Sequence, residues 1–223
     1  MKKYFLNPFF APVATVLFLG IFSLISIFIF DKKMDFFEDA HICGITTYTL
    51  YALAVATLLF CIKDFKEKKV DFAVFLFLLI AAVLREMGIQ HWLTKTDTTA
   101  FKLRFFTNPN NPISEKILSA SILLLVLISV LYLAIKYTIK IWRGFWQKKE
   151  IYWTICTLCA MGIVSKFADR LPGNYRKSTG EELDIGIALF CKIIEECGEA
   201  TLPMLIMIGL LQFHTTNKQK AIF

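Results

Sequence analysis

"CKIIEECGEATLPMLIMIGLLQF", Cys191 to Phe213, joins three glutamates and a lysine to an apolar run long enough to enter a bilayer. A carboxylate at the bilayer centre costs roughly 3 kcal/mol on insertion scales, so such residues are rare unless paired, hydrated or functional. Counting back about 20 residues from Phe213 puts the edge of the hydrocarbon near Glu195. Glu195, Glu196 and Glu199 then sit within about two turns of the headgroups, not at mid-membrane. At about 100° per residue, Lys192, Glu195, Glu196 and Glu199 share an arc of roughly 100°, so one helix face carries all four.

Working outward, the rest of the chain repeats the apolar pattern. Its 223 residues are 57% hydrophobic with 22 phenylalanines, and the mean hydropathy is +0.59. That is too apolar for a soluble domain. Six runs, near 10–30, 41–62, 70–93, 117–138, 151–170 and 184–212, are long enough to cross a hydrocarbon core of about 30 Å as helices. Backbone groups cannot stay unpaired in lipid, and the runs lack the alternation of barrel strands. The expected fold is all-α: a polytopic integral membrane helical bundle of about six transmembrane helices in a single domain, 1–223.

Basic residues in short loops collect on the cytoplasmic side. One set of alternate loops holds thirteen: Lys2, Lys3, Lys63, Lys66, Lys68, Lys69, Lys136, Lys140, Arg143, Lys148, Lys149, Lys218 and Lys220. The opposite set holds nine, spread over longer segments: Lys32, Lys33, Lys95, Lys102, Arg104, Lys116, Arg170, Arg176 and Lys177. Both termini are therefore expected in the cytoplasm, with 31–40, 94–116 and 171–183 outside. A bacterial cytoplasmic (inner) membrane is the expected location. The net charge of +7 reflects this bias rather than a nucleic-acid partner. The six cysteines form no recognisable framework. Cys156 and Cys159 make a CxxC inside an apolar span, where a thiolate is disfavoured, and read as packing residues.

On this topology the ionisable residues of the spans gather on the outer side. Arg85, Glu86 and His91 end the third run, Lys166, Asp169 and Arg170 end the fifth, and the glutamates open the sixth. Intramembrane ionisable groups normally face a bundle interior or a wet cavity, so a shared polar cavity opening outward is expected. Glu86, His91, Asp169, Glu195, Glu196 and Glu199 are the candidate catalytic residues. Their carboxylates can ligate a divalent cation such as Mg²⁺, Mn²⁺ or Ca²⁺, and an imidazole from His91 or His41 would admit Zn²⁺ or iron. No HExxH, Cys/His cluster or di-iron ExxH repeat occurs, and an internal salt-bridge network is the stronger reading of the same residues.

The segment "TKTDTTAFKLRFFTNPNNPISEK" alternates Phe101, Leu103 and Phe105 with Lys102 and Arg104, which predicts an extended or hairpin segment lying on the outer leaflet. Asn111-Pro112 predicts the start of the fourth span. Arg85, Lys102, Arg104, Lys166 and Arg170 are the candidate substrate-binding residues, for an amphiphile with an anionic head. "EECGEATLP" resembles the glutamate motif of undecaprenyl-pyrophosphate phosphatases, but their serine-arginine loop is absent and no family is assigned. Ser165 and Thr201 lie near the acids without a matching histidine, so no nucleophile is named. The expected function is a membrane-embedded enzyme, a hydrolase or transferase acting on a lipid or lipid-linked substrate. A transporter or lipid-translocating protein, and a non-catalytic subunit or assembly factor, are the alternatives.

Overall fold

A computed structural model describes residues 2–29, 42–89 and 100–222, and these are helical throughout apart from short connections. In chain order the elements are α1 (Lys2–Phe5), α2 (Phe10–Ile29), α3 (Ile42–Phe60), a 3₁₀ turn (Ile62–Phe65), α4 (Lys69–Glu86), α5 (Leu103–Thr107), α6 (Ile113–Trp146), α7 (Glu150–Thr179) and α8 (Ile185–Ile222). Among the described residues, each of the six apolar runs is largely helical. Among the described residues, three stretches are long and apolar enough to cross a membrane: Cys43–Phe60 within α3, α6 and α7. Helix α2 is apolar over Phe10–Ile25.

The helices outrun their apolar segments. Helix α6 extends beyond 117–138 at both ends, and α7 continues past residue 170 to Thr179, where Gly180 caps it at φ 76°. Arg176 and Lys177, expected in an outer connection, are therefore helical, as are Lys136, Lys140 and Arg143. Leaving the bilayer does not stop a helix, because its backbone bonds are internal. A left-handed glycine that presents the last carbonyls to a new donor does.

The chain divides into two compact units, one comprising Met1–Asp64 with Lys140–Phe223 and the other Phe65–Ile139. In the first unit α8 packs against α7, α3 and α2, and α2 packs against α7. Helix α3 turns Cys43, Thr47, Tyr51, Ala54 and Leu58 inward, all buried and all at helical spacing. Thr15 and Thr47 are buried with their hydroxyls donating to the carbonyls of Ala11 and Cys43, four residues back, which makes a polar side chain tolerable without water. The far half of α8 is tied down by polar contacts. Buried Gln212 accepts from Thr154 Oγ1 at 2.7 Å and donates to the Phe5 carbonyl at 3.1 Å, and Thr216 donates to Glu150 at 3.0 Å.

In the second unit Phe65 packs its ring on Phe72 and Phe75, with centroids 5.7 and 6.3 Å apart. Segment 101–107 departs from the extended form expected of it. Leu103–Thr107 is a helical turn, Phe105 is fully buried and Leu103 is 80% exposed. Asn111 Nδ2 donates to the Phe105 carbonyl at 2.8 Å, so this asparagine holds the turn closed ahead of α6. Alternation alone could not reveal that one of its three apolar residues, Phe105, was anchored.

Outward faces carry large apolar side chains, among them Val16, Leu17 and Ile21 on α2, and Leu124, Leu127, Leu131 and Ile135 on α6. Water would penalise such surfaces, whereas acyl chains solvate them. Helix α6 in particular is exposed along nearly all its length.

Candidate functional site

The polar groups singled out on α7 and α8 converge in the first unit. Gly198 brings the two helices together: a Cβ there would stand 3.0 Å from Ser165 Cβ and 3.4 Å from its hydroxyl. At that close approach Ser165 Oγ donates to the Glu195 carbonyl at 2.9 Å, crossing from α7 to α8. Thr201 donates to the Cys197 carbonyl at 2.6 Å. Both hydroxyls are thus committed to backbone acceptors, which removes them as nucleophile candidates and gives them a packing role.

Around this contact lie the acids. Glu196 is buried, and Lys192, one turn before it, reaches it at 2.6 Å and Glu195 at 3.5 Å. The spacings of four and three put all three side chains on one line of the helix. Lys192, Asp169 and Glu199 are charged neighbours of Glu195, so the α7 acid joins the α8 group. Asp169 itself meets Lys166 at 2.5 Å. Lys166 and Arg170 share one open, nearly flat face of α7 with Cys159, Gly162, Ile163 and Phe167. That face is apolar apart from the two cations, which stand one turn apart at its end nearer the acids. Pro203 lies inside α8 and is buried.

Asp169, Glu195, Glu196 and Glu199 are four acids set among Lys166, Arg170 and Lys192, three cations, leaving one negative charge in excess if all ionise. Partly dry carboxylates that share ammonium partners can hold or release a proton as the partners move.

The remaining candidates belong to the second unit or to residues outside those described. Arg85 and Glu86, at the end of α4, are 3.7 Å apart in the second unit. Lys102 and Arg104 are exposed at the α5 turn of that unit. His91 lies outside the described residues, as do the other residues from 90 to 99, and His41.

Two polar clusters escaped sequence reasoning. In the second unit fully buried Asp71, in the first turn of α4, accepts from three side chains of α6: Tyr132 Oη at 2.7 Å, Lys136 Nζ at 2.5 Å and Tyr137 Oη at 2.5 Å. Lys136, counted above among loop cations, is committed to this acid. At the far end of the first unit, Cys61, Asp64 and His214 place a sulfur, a carboxylate oxygen and a ring nitrogen within 4.8 Å of one another. The available signal was a lone acid opening an apolar helix and a lone histidine closing one. Neither identifies its partner.

Comparison with protein-family models, curated proteins and solved structures finds no match to this chain.

Proposed function

We propose that the chain is a multi-pass protein of a bacterial cytoplasmic membrane, crossing it about six times with both termini inside. Its first unit acts in the outer leaflet, as a hydrolase or group transferase, on a lipid or lipid-linked amphiphile with an anionic head. The observation that carries the reading is the open apolar face of α7 that ends in two cations, whose Lys166 touches Asp169, itself a charged neighbour of Glu195. An acyl chain would lie along Gly162, Ile163 and Phe167, with its head at Lys166 and Arg170. An anionic head that draws Lys166 away from Asp169 leaves that carboxylate as a general base beside Glu195, Glu196 and Glu199. A second reading, a non-catalytic membrane subunit, is favoured by the ion pairs themselves, since Lys192 serves two glutamates and Lys166 serves Asp169.

The two readings separate on Glu196→Gln, which keeps shape and much hydrogen bonding but loses the charge. Catalysis requires lipid turnover in cells to fall by roughly 100-fold or more at unchanged melting in detergent. A structural network requires melting to fall as well, because Lys192 loses a charged partner in a partly dry site. If neither changes, the acidic group has neither role. Lipid profiles of cells with and without the gene supply the turnover readout.

The topology has its own test. In a cysteine-free background, an impermeant thiol reagent is expected to label Asn110→Cys in intact cells and Lys149→Cys only after permeabilisation. The reverse pattern would sink the orientation.

A further inference from the structure

Eighteen residues along α8 from Glu196, about 27 Å at the helical rise, a second group of chemistry-bearing side chains occupies the opposite end of the first unit. Cys61 follows the last residue of α3 and is fully buried. Asp64 lies in the 3₁₀ turn behind it, with its side chain 12% exposed. In a 3₁₀ turn residues three apart eclipse one another, and the Asp64 N–H donates to the Cys61 carbonyl at 2.9 Å, so the thiol and the carboxylate emerge on one side. Helix α8 supplies the third group. Its His214 meets Asp64 Oδ2 through Nδ1 at 2.5 Å, and the ring leans on Phe60 with centroids 5.4 Å apart. Cys61 Sγ lies 3.8 Å from the carbonyl of Leu210, one turn before His214, which fixes the thiol against the same stretch of helix.

We propose that Cys61, Asp64 and His214 form a binding site for a divalent transition metal of the zinc class. An aspartate–histidine ion pair alone would need no thiol. Here the three donor types that suit Zn²⁺ converge in a largely buried corner, each offering one ligand atom within 4.8 Å of the others. Bond lengths of about 2.0–2.3 Å place ligand atoms of a tetrahedral zinc site roughly 3.3–3.7 Å apart, so closure on the metal asks for about 1 Å of movement. Side chains at a turn and on one helix face can supply that. The thiol must lose its proton and His214 must turn a bare ring nitrogen to the metal, so binding releases at least the thiol proton to solvent. Three protein ligands leave a fourth position for water, the arrangement of an exchangeable site. The site is independent of the acidic group on α7 and α8, and its test does not involve lipid.

The test uses the full chain in detergent with metal alone. Zn²⁺ is titrated in competition with a chromophoric chelator, and Co²⁺ is substituted to report the ligand set by absorption. One equivalent is expected to bind, with a thiolate-to-cobalt charge-transfer band and the visible bands of a four-coordinate ion. Cys61→Ser is expected to remove the charge-transfer band, and His214→Gln to weaken binding by roughly tenfold or more while every cysteine remains. Melting of each variant is followed with and without zinc, so that if Cys61→Ser fails to fold, His214→Gln still decides. A folded wild-type chain without the band, or undiminished binding in folded His214→Gln, would overturn the proposal.

Discussion

Asp71→Ala is expected to lower the stability of the protein in detergent by about 2–4 kcal/mol. Asp71 has no exposed surface and is the acceptor for two tyrosine hydroxyls and one ammonium of α6. The ammonium can turn outward when the acid is lost, since the Lys136 side chain is 36% exposed. The hydroxyls of Tyr132 and Tyr137 are less mobile, and each loses a short bond to a charged acceptor, which is the larger part of the cost. Asp71→Asn keeps the shape and should fall between wild type and alanine. Replacing the set together, by Asp71→Leu with Tyr132→Phe, Lys136→Met and Tyr137→Phe, should recover most of the loss, because an apolar cluster of similar volume has nothing left to satisfy. If Asp71→Asn melts with the wild type, the cluster holds nothing together.

The second large effect concerns a sign. Alanine in place of a helix-interior glycine ordinarily stabilises by about 1 kcal/mol through reduced chain entropy. Gly144→Ala should instead destabilise by about 1–3 kcal/mol. Gly144 lies in the last turn of α6, and a Cβ there would fall inside the ring of Tyr152 at the start of α7. The connection between the two helices is short and defined: Lys149 N–H donates to the Gly144 carbonyl at 3.1 Å, Lys148 takes φ 52°, and Phe145 stacks on Trp153 with centroids 4.7 Å apart. The nearest Tyr152 ring carbon would stand 1.9 Å from that Cβ, so the ring has to shift by about 1 Å or more to admit it. In a Tyr152→Ala background the same Gly144→Ala change should regain its ordinary stabilising sign. A double-mutant cycle on melting midpoints measures this, and a stabilising Gly144→Ala in the wild-type background would refute the packing argument.

Part of the acidic site was legible in one dimension. Lys192, Glu195 and Glu196 are placed together by helical spacing alone, and the structure pairs them as that spacing predicts. That Asp169 is a charged neighbour of Glu195 also required Gly198, whose missing side chain lets α7 approach α8. The Asp71 cluster was not legible, because its members lie 61 to 66 residues apart and each taken singly reads as an interfacial residue. His214 and Asp64 are separated by 150 residues and met the same difficulty. At Phe101–Phe105 the local pattern pointed the wrong way, since burial of Phe105 and the bond from Asn111 outweighed the alternation.

Hydropathy and helical period are local and additive, so the sequence by itself determined that this chain is helical, that several of its helices present apolar faces suited to lipid, and that one face of α8 carries its acids. Where those helices end was decided by caps such as Gly180 rather than by the loss of apolar residues. Which buried polar group finds which partner was decided only by tertiary structure. The free energy of pairing depends on the distance between atoms far apart in the chain, and packing of the helices alone sets that distance.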